Sequence, residues 1–66
     1  MSEAVKLIVS SFVSLKNRQA LVKMREHRQR LKAELQRKSG PNFDFSGALR
    51  DIDGDLSEIE SGFSKL

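Results

Sequence analysis

Residues 45–66, FSGALRDIDGDLSEIESGFSKL, place Phe45, Leu49, Ile52, Leu56, Ile59, Phe63 and Leu66 at alternating steps of four and three. This spacing keeps one apolar seam on one side of an α-helix, a period that a half-buried strand does not have. A helix over about 45–65 follows, with Asp44 or Ser46 as candidate N-cap and Lys65 favourably placed for the helix dipole. Gly47, Gly54 and Gly62 each cost about 1 kcal/mol relative to alanine in a helix interior. On a heptad wheel all three fall opposite the seam, so this helix is expected to depend on packing for its stability.

Upstream of the seam, Ser39-Gly40-Pro41-Asn42 is the strongest punctuation in the chain. Gly40 suits a left-handed helix C-cap and Pro41 does not continue a helix, which predicts a loop over about 39–44. No glycine or proline interrupts residues 2–38. Ser2 is a candidate cap, Glu3 lies in the first turn, and Arg37 and Lys38 lie in the last, the charge order that the helix dipole favours. These signals predict a helix over about 2–38.

That first helix carries two apolar seams. Val5, Ile8, Phe12 and Leu15 point one way, while Leu21, Met24, Leu31 and Leu35, with Arg28 in the intervening seam position, point about 150° away. Either the helix breaks near Lys16-Asn17-Arg18 or one continuous helix offers different faces to different partners. With no breaker stronger than Asn17, continuity is the expectation.

Residues 20–38 and 46–66 match in length, about 28 and 31 Å at 1.5 Å per residue. Folding at the loop predicts an all-α antiparallel helical hairpin with Leu35 near Phe45, Leu31 near Leu49, Met24 near Leu56 and Leu21 near Ile59. Arg28 would then face Ile52 and reach Asp51 or Asp55. The charge distribution agrees: residues 1–39 hold ten basic and three acidic residues, a net +7, and residues 40–66 hold two basic and six acidic, a net −4. The hairpin leaves Val5, Ile8, Val9, Phe12, Val13 and Leu15 largely uncovered, an apolar stripe that calls for a protein partner. A second copy completing a four-helix-type bundle is the most economical one.

Size points the same way. Sixty-six residues with no cysteine and one histidine form one small domain without disulfides or thiolate metal sites. Self-association or a partner is then the remaining source of added stability. No nucleophile and base pair, glycine-rich phosphate loop or cofactor motif is present, and the expectation is a protein that is not an enzyme and uses no cofactor. Asp51-Ile52-Asp53-Gly54-Asp55 has the composition of a calcium loop, but with Gly54 at the sharp turn the first ligand position falls on Leu49.

The basic residues form two rows at seven-residue spacing, Lys16, Lys23, Arg30 and Arg37, and Arg18, Arg25 and Lys32. Such rows suit phosphates on RNA or DNA, although long basic side chains also border buried seams in ordinary helical proteins. The apolar run Ala4 to Leu15 is interrupted by Lys6, Ser10, Ser11 and Ser14, too polar to span a membrane and serine-rich where interfacial helices are basic. The chain therefore reads as a cytoplasmic, non-enzymatic interaction or regulatory protein that acts as a homodimer, with nucleic-acid binding as the alternative.

Overall fold

The computed structural model describes residues 3–66 and contains three helices, α1 (Glu3–Ser14), α2 (Arg18–Lys38) and α3 (Ser46–Ser64). The proposed Ser2 cap lies outside the described residues. α2 and α3 form the antiparallel pair, and the single long helix expected over 2–38 is corrected to two helices joined by Leu15–Asn17.

The join is a Schellman turn followed at once by a new cap. Lys16 is left-handed, with φ 54°; its N–H donates to the Val13 carbonyl at 3.0 Å, and the Asn17 N–H donates to the Phe12 carbonyl at 2.8 Å. Asn17 then serves as N-cap of α2, its Oδ1 accepting the Ala20 N–H at 3.1 Å. A non-glycine residue in this conformation costs about 1–2 kcal/mol. The turn lets α1 fold back and bury Val5 and Val9, each 5% exposed. Full burial of an aliphatic side chain of this kind contributes about 1.5–3 kcal/mol. Two such side chains outweigh one strained lysine, and the chain turns.

At the other end of α2 the geometry also departs from expectation. Ser39 is extended (φ −68°, ψ 140°), and Gly40 and Phe43 exchange two backbone hydrogen bonds of 3.1 Å around Pro41-Asn42. No described glycine has a positive φ. Pro41 is the reason: its ring disfavours helical backbone at the preceding residue and drives Gly40 extended. α3 then begins after Phe45, with the Asp44 carboxylate accepting the Ser46 N–H at 3.0 Å, one residue outside the formal cap.

The core lies where three helices meet. Val5, Val9, Leu21 and Ile59 form its buried centre, with Phe12, Val13, Met24 and Phe63 packed around them. Ile52 is buried further along α3, where only α2 and α3 run side by side. The C-terminal ends of α1 and α3 lie together beside the start of α2, since Val13, Lys16, Arg18, Lys65 and Leu66 line one pocket. α1 therefore runs in the same direction as α3 and covers only the half of the α2–α3 pair nearest that end. The result is an elongated body of 43 × 20 × 15 Å.

Gly62 permits the third helix to dock. It is buried, and a Cβ built there would lie 2.6 Å from Val9 Cγ1 and 3.4 Å from Val13 Cγ2. Its expected place opposite the seam is thus corrected: Gly62 faces α1. Gly47 opens onto free space.

Candidate interaction surfaces

The charges of α2 and α3 pair residue by residue across the helix interface. Arg25 Nη1 meets Glu60 Oε1 at 3.3 Å, Arg28 Nε meets Asp55 Oδ2 at 3.1 Å, and Lys32 Nζ meets Asp53 Oδ1 at 2.7 Å. The acidic partner's number falls as the basic one rises, the signature of an antiparallel register. Arg28–Asp55 is the most enclosed of the three, at 23% and 14% side-chain exposure, and His27 Nδ1 accepts a second bond from the Arg28 guanidinium at 2.8 Å. The other two are more exposed ion pairs, each contributing at most about 1 kcal/mol.

These pairs divide the two basic rows. Arg25 and Lys32 of the row that begins at Arg18 are taken up by α3, and Arg18 and Arg25 place their guanidinium groups over the Phe63 ring at 5.4 and 4.6 Å. In the row that begins at Lys16, Arg37 binds Glu34 within its own helix, and Lys16, Lys23 and Arg30 are exposed. Neither Lys23 nor Arg30 has an acidic partner among the described residues.

The six residues expected to form the apolar interface are also divided. Val5 and Val9 belong to the chain's own core, and Phe12 and Val13 are half-buried against it. That is a correction: α1 spends its inner face on α3. Ile8 and Leu15 remain outward, 42% and 73% exposed, and Leu7, which the sequence reading passed over, is 66% exposed. With Ala4 and Ser11 they make a second apolar row along the outer side of α1. The signal for it was present, because Ala4, Val5, Leu7, Ile8, Val9, Phe12 and Val13 are too many apolar positions for one face of a helix of twelve residues.

No family model, curated protein or solved structure matches the chain. Residues 51–58 are helical throughout, so the aspartates do not form a calcium loop. Among the described residues no group of three or more histidine, aspartate or glutamate side chains is arranged to hold a metal ion, and no helix is long and apolar enough to cross a membrane.

Two exposed carboxylates have shifted titration. A hydrogen bond from Arg37, aided by Lys38, holds Glu34 below its ordinary pKa, and the Ser46 N–H does the same for Asp44. A carboxyl whose folded pKa lies below its unfolded value adds stability above the unfolded pKa and loses it as pH falls through the folded one. The thermal midpoint is therefore expected to fall on acidification below about pH 4. Glu34→Gln combined with Asp44→Asn should flatten that fall; an unchanged slope in circular-dichroism melts would show that neither group contributes.

Proposed function

We propose that this chain is a small non-enzymatic interaction module that acts as a homodimer through the outer face of α1. The observation that carries this reading is that α1 is apolar on two sides: Val5 and Val9 face inward while Leu7, Ile8 and Leu15 are left to solvent. A second copy fits the row by charge as well as by polarity. Glu3 stands at its start and Lys16 at its end, so a two-fold axis that sets two α1 helices antiparallel brings opposite charges together at both ends. Ala4 and Ser11 are small and allow the helices to approach.

Light scattering across a concentration range tests the reading, with a mass near twice 7.5 kDa expected. Leu7→Lys with Ile8→Lys should return the mass to one chain without loss of helix, because both positions are outside the core. A single-chain mass for the natural sequence at high concentration, or an unchanged mass in the double variant, refutes it. Phe12 is not a clean probe, since it packs on the core.

A second reading is supported by the outward Lys16, Lys23, Arg30 and Arg37 row, which α3 does not neutralise. Three of these residues on phosphates would weaken duplex DNA binding about 40-fold between 50 and 200 mM salt. Binding that is independent of salt, or of Lys23→Glu with Arg30→Glu, excludes it.

A further inference from the structure

Lys16, the one described non-glycine residue with a positive φ, lies in the three-residue link between α1 and α2. Lysine is a good helix former, and neither glycine nor proline flanks it, so the same link is also able to continue the helix. Two conformations compete. The closed one has the Schellman turn and the Asn17 cap; in the open one residues 3–38 make a single helix about 54 Å long.

We propose that this link allows two copies of the chain to exchange α1, giving a dimer in which α1 of each chain packs on α3 of the other. The polarity of the helices permits it. In the closed chain α1 runs with α3 and against α2, and the C-terminal ends of α1 and α3 lie together beside the start of α2. When the link straightens, α1 projects beyond that end and runs opposite to its own α3. A two-fold axis across the same end supplies a partner whose α3 is also reversed, and therefore runs with the projecting α1. The C-terminal ends of the two helices again lie at the same level. Val9 against Gly62 and Val5 beside Ile59 are remade between chains, and only the link changes conformation. The exchange closes at two copies and uses the inner face of α1, independently of the Leu7, Ile8 and Leu15 row.

The chain has no cysteine, so Ser10→Cys with Ser61→Cys reports which chain carries each α1. Both positions are exposed and line the groove between α1 and α3. The double-cysteine protein is refolded at high concentration, oxidised and run on a non-reducing denaturing gel. Exchange gives covalent dimers, whereas closed chains give intrachain disulfides even when they associate face to face.

Link variants supply the second readout. Lys16→Gly favours the closed turn and weakens the open helix, while Asn17→Ala removes the closed cap and favours the open helix. Each dimer contains two links, so exchange should weaken by about a hundredfold in the first and strengthen by about a hundredfold in the second. Intrachain disulfides in every background, or equal light-scattering masses for Lys16→Gly and Asn17→Ala, overturn the proposal. Leu7→Lys with Ile8→Lys separates the two associations: at a concentration where that variant is a single chain, adding Asn17→Ala should restore a dimer through exchange alone, since the exchanged packing of α1 on α3 does not use Leu7 or Ile8.

Discussion

Ile59→Ala is expected to lower the thermal midpoint by about 15 °C or more, enough to leave much of the protein unfolded at 37 °C. Ile59 has no exposed surface and lies at the junction of all three helices, with Val5 and Val9 on one side and Leu21 on another. Truncating a buried isoleucine costs about 2–5 kcal/mol, part from lost transfer energy and part from the cavity left behind. A chain of this length has roughly 3–10 kcal/mol of total stability. One side chain therefore carries a large share of the whole, and no disulfide compensates. Leu31→Ala is the matched control, since Leu31 is 40% exposed on the half of the pair that α1 does not cover. It should cost about 1 kcal/mol at most. Equal effects of the two substitutions in circular-dichroism melts would mean that the three-helix junction is not the centre of stability.

The α2–α3 register was readable from local pattern because one seam and one loop decide it. Once Phe45 to Leu66 is a heptad seam and Gly40-Pro41 a turn, Arg28 has to meet the stretch near Ile52, and it binds Asp55 there. The pairings of Arg25 with Glu60 and Lys32 with Asp53 follow from the same antiparallel register, yet only general charge complementarity was inferred. The break at Leu15–Asn17 was not readable from composition. Its signal was geometric: two apolar seams rotated about 150° from one another do not face a common partner along a straight helix. Lysine gives no local hint of a left-handed conformation, and burial of Val5 and Val9 imposes it from a distance. For the same reason four of the six residues expected at the apolar interface, Val5, Val9, Phe12 and Val13, pack on the chain's own core. Leu7 was missed because it lies off the seam that Val5, Ile8, Phe12 and Leu15 define.

Gly62→Val should detach α1 while leaving α2 and α3 paired, at a cost of about 3 kcal/mol. The position tolerates no side chain as it stands. A Cβ would sit 2.6 Å from Val9 Cγ1, and Val13 Cγ2 and Leu21 Cδ1 lie 3.4 and 3.6 Å away, so the branches of valine have no free direction. Val9 does not yield easily, because it is β-branched and buried. α1 is the element that moves, since it packs by its short inner face alone, whereas α2 and α3 are joined along their lengths by the seam and three ion pairs. Amide exchange should therefore rise across Val5–Val13 and stay slow around Ile52 and Leu56. Gly62→Ala is milder, because about 1 kcal/mol of helix propensity offsets part of the clash. Val9→Ala added to Gly62→Ala should recover stability relative to Gly62→Ala alone, as the overlapping methyl is removed. If the two substitutions add without coupling, the close approach of α1 to Gly62 is not what limits this site.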